Sequence, residues 1–515
     1  MNDSRTTHLS ATSSPETALA ALGDAGFEFA EPETVVRTLL DTFDGRLHAA
    51  GLRLEAERGR RIDLVLSGAG IVPAHVPVAS LPRRPSDVPP GPFRARLAGL
   101  VDVRALLPVL EVAATRVGGV RRDKAGKIVA TAALYRDIRA IGADDAAAPR
   151  WTIEVEELVG YEKRARRARD VLDDVGLDRS DADTLELAAG AAGVDLAGTA
   201  PSATVPLRAD MRAEDGVRAV LLNLAETVEL NRQGTIDRID PEFLHDLRVA
   251  VRRSRSVLQQ ARRALPPSMV ARAGAELKRL GVLTGRARDL DVYLIEWDTY
   301  TADLGPGAVA ALRPVRERLA CHLDDAYEQL AAELRSPATQ STLAEWTAWL
   351  REPIPADVVR GDRADRPLGT LVARRIQRAY DRLIDHGRAI TPETPAERVH
   401  DLRKDAKRLR YLLECFASIL PDKARKQFVK RLKAFQNILG EHQDAEVHMA
   451  ELEVLSRELH DEDAPPDTLL AIGRLTEQLD RRRSAARRAF AEGFESFDAE
   501  RTRTALAAML EGIGS

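Results

Sequence analysis

Apolar positions along this chain change their period near residue 208. Before that point they form short runs between turn residues or alternate with polar ones. Trp151-Thr-Ile-Glu-Val-Glu156 alternates with period two, as a half-buried strand does. Leu64-Val-Leu66 and Ile128–Tyr135 are short apolar runs of strand length. Val117–Arg122 and Lys127–Val129, joined by Asp123-Lys-Ala-Gly126, predict a hairpin with a glycine in its loop. The pattern predicts a helix over Glu162–Val175, and the six prolines of Val76–Phe93 predict a long loop or an interrupted edge. Beyond residue 208 Ala, Leu, Arg and Glu dominate, and apolar residues recur at steps of three and four. Breaks at Pro266-Pro267, Gly305–Gly307, Pro353–Pro355, Pro392–Pro395, Pro421 and Pro465-Pro466 leave room for about eight or more helices, hence a bundle. The Ser/Thr/Ala-rich residues 1–25 predict a disordered tail, and the Gly/Ala/Pro-rich stretch Ala188–Val205 a linker. The expected order is a tail (1–25), a β-rich domain (26–178), a linker (179–207) and a helical domain (208–515).

The helical half contains a duplication. FLHDLRVAVRRSRSVL (243–258) lies over VHDLRKDAKRLRYLL (399–413) when His245 is matched to His400, a shift of 155 residues. Arg248, Arg252, Arg253 and Arg255 then meet Arg403, Lys407, Arg408 and Arg410. At the same shift LKRLGVLTGRARDLDV (277–292) lies over LKAFQNILGEHQDAEV (432–447), matching Lys278, Gly285 and Asp289 to Lys433, Gly440 and Asp444. Two motifs sharing one gapless offset mark a true repeat, with halves at about 208–360 and 361–515. On a helix, His245, Arg248, Arg252 and Arg255 fall within an arc of about 80°, and so do His400, Arg403, Lys407 and Arg410. Each helix therefore carries a ridge of one imidazole and three cations. Like charges at this spacing repel by a few tenths of a kcal/mol per pair, roughly, so acidic neighbours or a bound polyanion should offset them.

Charge distribution sharpens this reading. The whole chain carries 76 basic and 80 acidic residues, which by itself predicts no polyanion ligand. Leu244–Arg288, however, holds 11 basic against 2 acidic residues, and Arg398–Lys433 holds 12 against 4. Two basic islands in acidic surroundings are the footprint of an electrostatic binding site. A single basic stripe is most often a solvated helix face. Shared packing would explain why Leu247 recurs as Leu402, but not why cations and a histidine recur at identical steps. A metal at the repeats is disfavoured, because H-x-x-x-H pairs are absent and a ridge of arginines repels cations. The two cysteines, Cys321 and Cys415, exclude a disulfide scaffold. No apolar run has the length of a spanning helix or of a signal-peptide core, so a soluble, cytoplasmic protein is expected.

The two His-Asp-Leu-Arg segments, each followed by Arg or Lys at +7, +8 and +10 and later by an L-K…G…D segment, resemble the CHAD domain (conserved histidine α-helical domain) over about 208–515. The resemblance implies two pseudo-symmetric helical bundles with a basic groove between them that binds inorganic polyphosphate. Carried over by position, the first repeat would supply His245, Arg248, Arg252, Arg253, Arg255 and Lys278. The second would supply His400, Arg403, Lys407, Arg408, Arg410 and Lys433. Lys404 is added where the first repeat has Val249, and Arg286 and Arg288 where the second has Glu441 and Gln443. The N-terminal half is similar to the CYTH (triphosphate tunnel) fold through Leu40-Asp-Thr-Phe-Asp44, Ala50-Gly-Leu-Arg-Leu54 and Glu154-Val-Glu156. That family implies an antiparallel barrel acting on triphosphates with a divalent metal. Its opening E-x-E-x-K strand is missing, since the nearby FEFAEPE lacks both pattern and lysine. Glu154 and Glu156 remain as candidate metal ligands or as the outward residues of a strand.

The expectation is a multidomain α+β protein: an antiparallel β tunnel or barrel of CYTH type, degenerate, followed by an all-α CHAD domain of two pseudo-symmetric bundles. The expected function is binding of polyphosphate, without catalysis or cofactor, in the cytoplasm and at polyphosphate granules, with no membrane. One rival is a metal-dependent triphosphatase in the N-terminal domain, served by the helical half. Another is a nucleic-acid binder, which the scarcity of aromatics near the ridges (Tyr411 and Phe435) disfavours.

Overall fold

The computed structural model describes residues 5–10, 13–68, 74–142, 151–196, 204–391 and 393–513. It divides into two units, residues 1–200 and 201–515.

The first unit is built on one antiparallel sheet. Its strands are β1 (Arg5–Leu9), β2 (Phe27–Phe29), β3 (Glu33–Asp41), β4 (Leu52–Arg58) and β5 (Ile62–Gly68). They continue with β6 (Ala74–Val78), β7 (Leu107–Arg122), β8 (Ile128–Ala140), β9 (Trp151–Glu156) and β10 (Asp178–Ser180). Helices α1 (Pro15–Asp24), α2 (Arg46–Ala49), α3 (Pro92–Val101), α4 (Glu162–Asp174) and α5 (Thr184–Ala192) connect or cover them. The expected hairpin is β7–β8: Asp123 Oδ1 accepts from the Ala125 and Lys127 amides, and Gly126 takes the positive φ of 80° that closes the loop. Pro77, which cannot donate to a ladder, sits on β6 at the sheet edge.

Three expectations are corrected here. The sheet does not close into a barrel: its order is β10-β1-β9-β8-β7-β3-β4-β5-β6, with β2 on β7, and the two ends do not pair. It curls strongly all the same, since Arg37 on β3 reaches Glu154 on β9, and His75 on β6 comes within 3.7 Å of Glu156. Residues 1–25 are not simply a tail. β1 pairs with both β9 and β10, and Ser14 caps α1, which buries Ala18 and Leu22 completely. The linker is shorter than expected, because β10 and α5 lie within 179–207. An Asp183–Glu186 capping box starts α5, and Leu185, Ala188 and Ala189 bury against the sheet. Residues 1–4, 11–12 and 197–203 of those two stretches lie outside the described residues.

The second unit is helical. Its first half contains α6 (Ala213–Ile236), α7 (Pro241–Ala261), α8 (Pro267–Ile295), α9 (Trp297–Thr301), α10 (Pro306–Ala311), α11 (Arg313–Arg335) and α12 (Pro337–Arg351). Its second half contains α13 (Leu368–Arg388), α14 (Ala396–Cys415), α15 (Asp422–Asp461), α16 (Pro466–Phe497) and α17 (Glu500–Glu511). Helices α6, α7 and α8 begin at 213, 241 and 267, and α13, α14 and α15 begin 155 residues later in each case. Proline marks many of these starts, where its missing N–H costs nothing. One hydrophobic core runs through both halves and includes Leu244, Leu247 and Val251 of α7 with Leu402, Ala406 and Leu409 of α14. Leu247 and Leu402, the repeated leucines, are fully buried. Each such side chain contributes about 1.5–3 kcal/mol by leaving water. That is enough to hold α7 and α14 in register against the mild repulsion along their ridges.

Candidate functional site

Burying the leucines of α7 and α14 turns their cationic residues toward the helices that follow. Arg248 Nη1 donates to the Gly281 carbonyl at 3.1 Å, and its Nη2 lies 3.8 Å from Asp289. In the second half Arg403 Nη2 donates to Asp444 at 3.0 Å. Asp289 and Asp444 are themselves 155 residues apart, so the same arginine–aspartate clasp is built twice. A Cβ on Gly285 would come 3.2 Å from Arg248, tighter than most packed contacts, while one on Gly440 would sit an ordinary 3.8 Å from Arg403. The arginine thus approaches its glycine more closely in the first repeat than in the second. At Gly281 the approach is closer, with Arg255 Nη1 2.8 Å from an added carbon, though the flexible guanidinium end can move aside.

The two clasps share one electrostatic site. Lys407 is pulled down to about 7, first by burial and then by Arg252 of the opposite half and by Arg403, with Asp444 opposing. Burial raises Asp289, against the pull of Arg248, Arg252, Arg286 and Arg403. Burial raises Asp444 too, against Arg403 and Lys407. Arg248 is held below the usual arginine range, chiefly by burial, despite Asp289. Four basic side chains (Arg248, Arg252, Arg403, Lys407) thus surround two carboxylates. A partly desolvated surplus of positive charge attracts an anion more strongly than the same charges would in open water.

The remaining ridge residues are dispersed. Arg253 donates to Glu414 at 2.7 Å, and Arg410 lies 3.6 Å from the same carboxylate, which makes a second junction between halves. Arg286 clasps Glu451. Arg288 lies 3.6 Å from Glu242 and donates to the Pro241 carbonyl, so it ties α8 to the start of α7 and stands away from the cluster. Lys278 and Lys433 are exposed. Lys404 and Arg408 pair one turn back along α14 itself, with Asp401 and Asp405 at 3.0 and 2.7 Å. His245 is half-buried, and His400, lowered chiefly by burial, is hydrogen-bonded through Nδ1 to Gln443. His448 is a core residue: it stacks on Tyr293 at 4.1 Å, and burial lowers it to about 4. Sequence reasoning overlooked Glu414 and Gln443 because neither matches its counterpart in the repeat.

The N-terminal sheet offers a different chemistry. Arg37, 2% exposed, donates to Glu154 and to Glu55, both at 2.8 Å. Thr184 donates to Glu154 as well. Arg53 lies 3.1 Å from Glu55 and 2.6 Å from Asp183, and Arg116 lies 3.2 Å from both Glu33 and Glu57. Each of the three arginines is therefore committed to carboxylates. Glu154 Oε1 accepts from Arg37 and Thr184, and Glu156 accepts from Thr131. These residues do not fit a divalent metal. Among the described residues, no three His, Cys, Asp or Glu side chains converge as metal ligands.

The CHAD domain family model matches residues 219–453, which include α7, α8, α14 and both clasps. Residues 219–453 form a CHAD domain. The chain is also similar to the crystal structure of the CHAD domain from the plant Ricinus communis, at 25% identity over 58% of this chain and 96% of that one, with a TM-score of 0.48. PptA from Streptomyces chartreusis matches at 18% identity over 55% of this chain and 100% of that one, with a TM-score of 0.44. The PH1819 protein from Pyrococcus horikoshii OT3 matches at 17% identity over 36% and 95%, with a TM-score of 0.23. No curated protein matches the chain. The CHAD domain thus contains both Arg–Asp clasps and the Lys407 cluster. Among the described residues no helix is long and apolar enough to cross a membrane.

Proposed function

We propose that the CHAD domain binds inorganic polyphosphate across the junction of α7 and α14. The feature that carries this reading is the gathering of Arg248 and Arg252 of one half with Arg403 and Lys407 of the other around Asp289 and Asp444, where burial and the neighbouring cations depress Lys407. A polyanion would supply the missing counter-charge and restore the ordinary lysine value. The ridges favour a flexible phosphate chain over nucleic acid, because Tyr411 and Phe435 are 5% and 2% exposed and offer no ring for base stacking. The triphosphatase reading is weakened by the Arg37–Glu55–Glu154 lock, which commits the carboxylates a metal would need.

Calorimetric titration with polyphosphates of defined length, at several salt concentrations, tests the proposal. Counterion release predicts a log–log salt slope of roughly −0.7 per neutralised phosphate, by analogy with single-stranded nucleic acid. Arg252→Ala with Lys407→Ala should weaken binding and flatten that slope. A flat slope in the wild type, or a folded double variant that binds normally, would reduce the ridges to solvated helix faces.

A further inference from the structure

The 155-residue shift makes each half a reference for the other, so a side chain that departs from its counterpart marks a need that packing alone does not impose. One such departure lies between α13 and α14, where the second half opens a depression of about 520 Å³. In the first half the matching positions are filled. His386, Arg398 and Asp405 correspond to Asn231, Phe243 and Ala250, which are 2%, 2% and 1% exposed.

Asp405 is the anchor of this pocket. It is 3% exposed, and its Oδ2 lies 2.7 Å from His386 Nδ1. Its Oδ1 accepts from Arg408 at 2.7 Å and lies 3.5 Å from Arg382 Nε. A buried carboxylate on Nδ1 fixes the imidazole orientation and leaves Nε2 as the edge available to a ligand. Arg382 and His386, one helical turn apart, line the pocket with Arg398, Lys404 and Arg408 of α14. Four permanent cations thus stand against two carboxylates, Asp401 and Asp405, in a concave and solvent-accessible site. Packing requires none of this, since Phe243 closes the equivalent space in the first half at far lower electrostatic cost.

We infer that this pocket is a separate oxyanion site that takes a single phosphate group, with Arg382, His386 and Arg398 as its contacts. The inference does not rest on the polyphosphate reading, because these three residues lie off both ridges. A phosphate group is planar toward no single donor, so convergent guanidinium groups from two helices and an oriented imidazole suit it well. Free phosphate and the end of a polyphosphate chain present the same group.

The test is calorimetric titration of the full chain with inorganic phosphate and, separately, with short and long polyphosphate. A charge-assisted hydrogen bond is worth roughly 1.5–3 kcal/mol, so each lost contact should weaken binding about tenfold or more. Arg382→Ala with Arg398→Ala should therefore lower phosphate affinity at least about tenfold, and His386→Gln by a smaller factor. Both arginines are exposed, so an unchanged thermal midpoint should accompany the loss. Arg252→Ala with Lys407→Ala should leave phosphate binding as it was, which separates this site from the ridges. If wild type takes up no free phosphate but the Arg382/Arg398 variant binds short polyphosphate more weakly, the site stands and its source is a chain end. Unaltered affinity for phosphate and for every chain length in the folded double variant would overturn the inference.

Discussion

Lys407 shows how a residue's surroundings set its chemistry. Burial, reinforced by Arg252 and Arg403, brings it to about 7, against about 10.4 in an unfolded chain. Between those two values the unfolded state binds more protons, so this group makes stability rise with pH through that window and costs stability below it. An anion reverses the preference by favouring the charged lysine. Polyphosphate binding should therefore take up close to one proton per site at about pH 8–9, and affinity should fall as pH rises above about 7. Titrations in buffers of different ionisation enthalpy measure that uptake, and Lys407→Met should abolish it. Arg37 is the opposite case, a buried cation fully paired with Glu55 and Glu154. Arg37→Met removes the buried cation that Glu55 and Glu154 share, leaving Glu55 to Arg53 and Glu154 to Thr184, and should cost about 3–5 kcal/mol in urea denaturation. A loss below about 1 kcal/mol would mean that water already reaches the pair.

At the scale of elements, close helix packing is decided by single glycines. A Cβ on Gly387 of α13 would overlap the Phe494 ring of α16. Alanine gains about 1 kcal/mol of helix propensity over glycine, but overpacking costs about 1–3 kcal/mol, so Gly387→Ala should be destabilising. An unchanged or raised melting temperature would show that Phe494 has room to swing away. Much at this scale is legible beforehand. Period-two alternation located β9, a short apolar run located β8, and the proline breaks located the starts of α8, α10, α15 and α16. β1 escaped notice because Arg5-Thr-Thr-His-Leu9 is polar and short, and its only reason to be a strand is the pair of neighbours it meets in space. The same holds for α5, whose Gly/Ala-rich sequence reads as a linker until the sheet buries one side of it.

For the whole molecule, the helical unit is two copies of one plan sharing a single core. That core draws on both halves, so neither half can be removed without exposing it. Residues 204–513 should unfold in one cooperative transition, with fluorescence from Trp297, Trp346 and Trp349 and far-UV circular dichroism coinciding. Separate transitions by the two probes would mean that the halves fold independently. The sharing also predicts energetic coupling across the repeat. In a double-mutant cycle on polyphosphate affinity, Arg252→Ala and Lys407→Ala should be non-additive, since Arg252 acts directly on Lys407.

What the sequence by itself determined is the repeat, its offset, its helices and the two cationic ridges. Those are properties of spacing along one helix, and α-helical geometry converts spacing into a face without further information. Which cations converge is a different matter. Helix packing brings Arg252 and Lys407 together across 155 positions, whereas Arg288 is drawn to Glu242 of α7 and Lys404 to Asp401 one turn away. The open sheet, the Arg37 lock and the His386–Asp405 pocket belong to the tertiary structure in the same way. Each depends on a partner supplied by another element, and neither periodicity nor composition records who that partner is.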